Sequence, residues 1–382
     1  MRILHTSDWH IGRTFHGTPT LPALRDVLGA LVQAVADHEV DVVLVAGDVF
    51  DSTTPSAECY TLLTDVLDGL REAGARVVVT SGNHDSAARL GFQARLLRDG
   101  IHVLTDPAAI GAPVTVHDEH GPVHIYGIPY LEPALVRRQW PGVRTHAQAL
   151  TRAMDIVRAD ADARGGRYVT LAHCFAAGVQ ATPHLERDIQ QGGLDVVPVA
   201  TFDGPDYCAL GHIHGRSTLT ERVRYAGAPL HYSFGERDKP RGAWLIDLDG
   251  SGVAGAQWMP LPVPRELKVL TGTLDELLTA RRFTSAEQAW VSARYTDTVA
   301  QSDPMRRLRE RFPYCAEVRH DPTTVAPADA RSFTARVRSA RSEVELLDAF
   351  LAHVRNGEGA DAGEAALLRE VLDEPVSAEV GA

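Results

Sequence analysis

The sequence predicts an α/β layered protein that continues into a small α+β domain and ends in C-terminal helices. Three observations predict it. Through the first half, short apolar runs alternate with longer segments of helical periodicity, the pattern of strands alternating with helices. Pro260, Pro262 and Pro264 then mark a change of texture that reads as a linker. Two amphipathic segments follow a second, shorter set of strand-like and helical runs. These place boundaries at 1–264, 265–340 and 341–382.

The first strand-like runs are 3–4, 42–46, 76–80, 102–104 and 169–172, all too short for buried helices. Between them, 22–37 sets Leu24, Val27, Leu28, Leu31 and Val35 at helical spacing, and 55–73 does the same with Leu63, Val66, Leu67 and Leu70. Ser52, Thr53 and Thr54 before Pro55 predict a helix start, because a cap oxygen can meet orphan N–H groups and proline suits the first turn. After residue 205 the runs 207–210, 223–225, 243–246 and 253–258 are broken by glycine and proline and predict antiparallel strands joining the sheets. In the small domain, 267–272, 290–295 and 314–319 read as strands, with helices from Thr273 and over 304–312. The tail predicts helices over 343–355 and 363–373, separated by 357–363.

Composition narrows the class. With 44% hydrophobic and 23% charged residues among 382, the chain can bury a large core and is not a disordered or fibrous sequence. No apolar run approaches the ~18 residues of a membrane helix. The N-terminus turns polar too soon for a secretory signal, so the expected location is cytoplasmic. The four cysteines, Cys59, Cys174, Cys208 and Cys315, lie far apart and form no Cys-x-x-Cys pair, which fits small buried hydrophobes in a reducing compartment. The formal charge of −12 is uneven: residues 265–341 hold 14 basic against 10 acidic side chains, whereas 342–382 hold 2 against 10.

The loops after the strand-like runs carry the chemistry. In order they read Asp8-Trp9-His10, Gly47-Asp48, Gly82-Asn83-His84-Asp85, His173 and Gly211-His212-Ile213-His214. Carboxylate and amide oxygens with imidazole nitrogens, and no thiolate, suit manganese, iron or zinc. So many donors exceed what one ion needs and fit two ions sharing a carboxylate. Such a pair, about 3.5–4 Å apart, can clamp an in-line displacement at phosphorus, so the expected reaction is phosphoester hydrolysis. Taken singly, Asp-x-His or Gly-Asp is an ordinary turn. The five together, each after a strand, carry the reading. His5 lies inside the first strand and reads as a core or supporting residue, Cys174 as packing, and His16 with Arg13 and Phe15 as loop chemistry or substrate contact.

This order of motifs resembles the calcineurin-like metallophosphoesterase superfamily, and the segments 1–12, 45–51 and 209–214 resemble its SbcD nuclease family. The resemblance is close through about residue 250 and only general beyond it. It implies a two-sheet sandwich flanked by helices, with ligands on loops at one edge. It implies one metal held by Asp8, His10, Asp48 and His214 and a second held by Asp48, Asn83, His173 and His212, with Asp48 bridging. His84 would approach the scissile phosphate as a catalytic residue, oriented by Asp85 through a hydrogen bond. The implied ions are manganese, with magnesium a weaker candidate.

The resemblance further implies DNA exonuclease action at double-strand ends and endonuclease action on single strands and hairpins, in repair, recombination and replication. It implies a homodimer, through helices near 55–70 and 87–97, within a heterotetramer with an SbcC-type coiled-coil ATPase docked on the tail helices. Arg237, Lys239, Arg241, Arg306, Arg307, Arg309 and Arg311 are candidate phosphate contacts. A phosphatase or nucleotide phosphodiesterase on the same metal centre is the competing reading, since fold alone does not choose the ester.

Overall fold

The computed structural model describes residues 1–97, 100–176, 196–322, 333–355 and 359–373. The chain divides into two compact units, Met1–Pro264 and Arg265–Ala382.

In the first unit the elements run β1 Arg2–Thr6, a short hairpin β2 Thr14–Phe15 and β3 Thr18–Pro19, α1 Leu21–Asp37, β4 Val42–Ala46, α2 Ala57–Glu72, β5 Arg76–Thr80, α3 Ala87–Leu90 and β6 Ile101–Leu104. They continue with β7 Val114–Asp118, β8 Gly121–Ile128, α4 Pro133–Val136, α5 His146–Arg164, β9 Arg167–His173, β10 Tyr207–Gly211, β11 Ser217–Thr218, β12 Val223–Tyr225, β13 Gly242–Asp249 and β14 Gly252–Pro260. Two six-stranded sheets result, in the orders β14-β13-β1-β4-β5-β6 and β11-β12-β10-β9-β8-β7.

The period-2 alternation of strand side chains explains why the sheets stack. Ile3, Val42, Leu44 and Val78 from one sheet share a buried cluster with Ile125, Val169, Leu171 and Ala209 from the other. Their neighbours Leu4, Val43, Val45, Val77 and Val79 face the opposite way, onto Leu24, Leu28 and Leu31 of α1 and Leu62 and Val66 of α2. Behind the second sheet, Ala149, Leu150, Ala153, Met154 and Val157 of α5 pack on Tyr126, Ala172 and Leu210. The unit is the expected sandwich of two sheets flanked by helices.

Three expectations are corrected. β10 is parallel to both its neighbours, β12 and β9, Cys208 pairing with Val223 and Val169 with Tyr207. Residues 212–222 are long enough to carry the chain back to the start of the sheet, as a parallel pair requires. Helix α2 begins at Ala57 with Ser56 at its cap, and Pro55 stays outside, because the Ser52 hydroxyl accepts the Thr54 N–H in a turn of its own. Past Leu90, helix α3 gives way to turns through residue 96.

In the second unit, β15 Leu267–Gly272, β16 Trp290–Tyr295 and β17 Cys315–His320 form a parallel sheet in chain order. Leu274 and Leu277 of α6 (Leu274–Thr279) and Leu308 of α7 (Pro304–Arg311) cover it. A capping box closes the start of α6: the Thr273 hydroxyl accepts the Glu276 N–H, and the Glu276 carboxylate accepts that of Thr273. Three further helices follow, α8 Phe333–Ser339, α9 Glu343–Val354 and α10 Ala362–Asp373, and a two-pronged Arg355–Glu364 ion pair at 2.6 and 2.8 Å ties the last two. Residues 356–358 of the expected spacer region and 374–382 of the tail lie outside the described residues.

Candidate metal centre

The parallel strands of both sheets end at one edge, the usual place for ligands in open parallel sheets. Asp8 follows β1, Asp48 follows β4, Asn83 follows β5, His173 ends β9 and His212 follows β10. Backbone bonds lock the loops: the Asp8 N–H donates to Gly47 O, that of His10 to Asp48 O and that of Ile11 to Val49 O. Glycines make room. A Cβ on Gly47 would strike the His173 ring, and one on Gly82 would strike the Asp48 carboxylate.

All seven residues assigned to metal in the sequence come together, and the partners of the rings orient them. The His10 Nδ1 lies 3.2 Å from the Asp51 carboxylate and the His214 Nδ1 lies 3.1 Å from that of Glu236. A carboxylate only accepts, so each Nδ1 carries its proton, and in the neutral ring Nε2 is left as a lone pair. Those two Nε2 atoms face each other at 3.1 Å, with Asp48 Oδ2 3.5 Å from that of His10. Asp8, His10 and His214 offer donor atoms all within 4.8 Å of one another.

The second point is built alike. His173 Nδ1 donates to Ala46 O at 2.9 Å, which turns its Nε2 toward Asn83 Oδ1 at 3.0 Å and Asp48 Oδ2 at 3.3 Å. His212 presents Nδ1 to the same Asn83 oxygen at 3.0 Å. Asp48, His173 and His212 again fall within 4.8 Å, so Asp48 belongs to both points. Acceptor atoms converging on two buried points fit a pair of divalent cations.

Backbone strain marks the same residues. Asp8, His10, Asp48 and His212 hold φ values of 53°, 46°, 49° and 102°, a region where side chains other than glycine's are disfavoured.

Electrostatics follow from burial and pairing. Burial opposes ionisation of Asp48, but His173 beside it outweighs that and holds the carboxyl well below the usual range. The same partnership overrides burial at His173 and lifts its pKa to about 9, whereas burial, helped by the charge of His173, lowers His212 to about 3. Burial lowers His10. At His214 the Glu236 hydrogen bond and charge overcome burial and raise it.

His84 stands at the rim, its side chain 34% exposed, with its Nδ1 donating to Asp51 O at 3.1 Å. The orienting role assigned to Asp85 is corrected. Its carboxylate accepts the N–H groups of Val49, Phe50 and Gly82 at 3.1, 2.8 and 2.8 Å, so it braces the Asp48 loop rather than the His84 ring. Burial and the charge of Asp48 push its pKa up to about 7. Asp51 occupies the orienting position beside both His10 and His84, and Arg13 anchors it at 2.8 Å. Its only sequence signal was a second aspartate three residues after Asp48.

Other expectations divide. His5 is fully buried, bonded to Tyr207 Oη at 2.8 Å and Leu210 O at 3.1 Å, and Cys174 is a buried free thiol. Arg241 does not face solvent: it is buried and donates to His214 O, Ala228 O and Leu230 O. Arg311 is likewise turned inward, to Glu287, Leu277 O and Ala280 O, and Arg309 donates to Cys315 O. No helix among the described residues is long and apolar enough to cross a membrane.

Residues 1–216 match the family model described as calcineurin-like phosphoesterase, and the chain belongs to that family. Residues 263–355 match a second model, the SbcD-type domain described as type 5 capsule protein repressor C-terminal domain, which makes the chain an SbcD-type calcineurin-like metallophosphoesterase. Among solved structures, TT1561 of Thermus thermophilus is 13% identical, covering 68% of this chain and 98% of its own, with a TM-score of 0.38. A dimetal phosphatase from Danio rerio is 12% identical, covering 69% and 99%, also with a TM-score of 0.38.

Proposed function

We propose that the chain is a two-metal DNA nuclease that cleaves phosphodiester bonds at double-strand ends and in single strands or hairpins, in DNA repair, recombination and replication. The observation that carries this is the convergence of oriented lone pairs on two points sharing Asp48, with His84 exposed beside them. Manganese suits the donor set, with magnesium weaker because imidazole is a softer ligand than that ion prefers. Divalent ions bound there supply charge neutralisation on phosphoryl oxygens and activation of a water. Asp48, held by the His84 N–H at 2.9 Å, keeps the two points in register. His84, its Nδ1 committed to Asp51 O, offers Nε2 to stabilise the phosphorane-like charge or protonate the departing oxygen.

DNA as substrate is supported by the SbcD-type second unit and by the candidate basic side chains that are exposed, Arg237, Arg306 and Arg309. Two bound divalent ions would also offset the acidic balance locally. A homodimer is supported by Phe92 and Leu96, 80% and 74% exposed beside a groove lined by Tyr60, Leu63, Leu67 and Leu90. Docking on an SbcC-type coiled-coil ATPase is supported by α9, whose exposed Leu346, Phe350 and Val354 recur every four residues along one face. The proposed location is the cytoplasm.

The test is hydrolysis by the purified protein with manganese. Linear duplex DNA should be degraded from its ends and a hairpin opened, with closed circular duplex spared. Turnover of nitrophenyl phosphates alone, with every DNA left intact, would instead assign a phosphatase or nucleotide phosphodiesterase.

A further inference from the structure

Segment 227–241 contributes no ligand, yet it binds two ligand loops together through buried charge. Glu236 and Arg241 have fully buried side chains and pair at 3.3 Å. Glu236 Oε1 accepts the His214 Nδ1–H at 3.1 Å, while Oε2 accepts the Tyr232 N–H at 3.1 Å. Arg241 closes the ring by donating to the His214 carbonyl at 2.7 Å. From the same segment, Tyr232 Oη donates to Trp9 O, between Asp8 and His10. A buried charge pair contributes little net stability over apolar residues of the same shape, so burial alone gives no reason for two charges here.

We infer that Glu236 is a positioning residue for the cation point formed by Asp8, His10 and His214, acting through His214, with Arg241 as its brace. This rests on the two-cation reading above. An acceptor-only carboxylate fixes the His214 tautomer and aims Nε2 at the point. Arg241, its Nη1 donating to three backbone carbonyls and lying 3.3 Å from Oε2, fixes that carboxylate beside the His214 ring, so Glu236 orients a ligand instead of becoming one. The point shared by Asn83, His173 and His212 has its own anchor, Ala46 O, and does not depend on this ring. The effect of losing Glu236 is therefore confined to one of two sites.

The experiment is manganese titration of the full chain, followed by calorimetry and by electron paramagnetic resonance, with wild type, Glu236→Gln and the double variant Glu236→Leu with Arg241→Met. The wild type should bind two ions and give an exchange-coupled signal. Glu236→Gln should keep one ion at wild-type affinity, bind the other about 10–100-fold more weakly, and give the six-line signal of an isolated ion at one equivalent. The double variant removes the acceptor without leaving a lone buried charge, so it should fold and lose the same single site if Glu236→Gln does not fold. Wild-type affinity at both sites, or equal loss at both, would overturn the inference. A wild type that binds no manganese would sink the two-cation reading, and this inference with it.

Discussion

The Nε2 atoms of His10 and His214 face each other across 3.1 Å while both Nδ1 protons are already committed, to Asp51 and to Glu236. Burial lowers the pKa of His10, whereas the Glu236 hydrogen bond and charge raise that of His214. A cation entering the centre therefore competes with protons for the same ring nitrogens.

Manganese affinity should consequently rise with pH. His173 holds its proton up to about pH 9, so below that value an ion must displace it, and affinity should climb by up to tenfold per pH unit before levelling off. His212, lowered to about 3, is already neutral near pH 7 and adds no slope. Calorimetry in buffers of different ionisation enthalpy should count at least about one proton released near pH 7.5. Zero release would contradict the assignment of His173 as a ligand.

Changing His84→Gln should lower DNA hydrolysis by about 10²–10⁴-fold, the usual contribution of a positioned proton donor, with both ions still bound. His84 also lies within ligand reach of His10 and Asp48. Loss of an ion together with activity would make it a ligand instead.

Asp85→Asn should destabilise the protein by about 1–3 kcal/mol, because an amide turns a donor toward three backbone N–H groups that now share one carboxylate. Thermal unfolding of the metal-free variant measures it. A melting temperature unchanged from wild type would deny the bracing role.

Two glycines should respond oppositely. At Gly82 an added methyl would strike the Asp48 carboxylate, so Gly82→Ala should abolish manganese binding. Gly29 lies in α1 with open space around it, and Gly29→Ala should stabilise by about 0.5–1 kcal/mol through the unfolded chain. Denaturant unfolding and metal titration of each variant check the pair.

Strands β4 and β5 were legible because Val42 to Ala46 and Val77 to Val79 are continuous apolar runs, as buried parallel strands should be. The residues that converge at the candidate centre were legible because each lies at the end of a strand or in the loop that follows one. Helix α5 was not, since half of its buried face is Ala149, Ala153 and Ala161, which contrast weakly with the polar face. Strand β8 hid behind Gly121, Pro122, His124 and Gly127, although most of it is buried. Arg241 read as a candidate phosphate contact and Glu236 gave no signal, because nothing local reveals that the two side chains pair in the interior.

The left-handed backbone at Asp8, His10, Asp48 and His212 has a bearing on how this protein could decay or be repurposed. A descendant freed from handling cations would relax by taking glycine or asparagine at those four spots, gaining ease of folding as it forfeited chemistry. Selecting variants for heat resistance alone should therefore change these four positions before it touches the sheets.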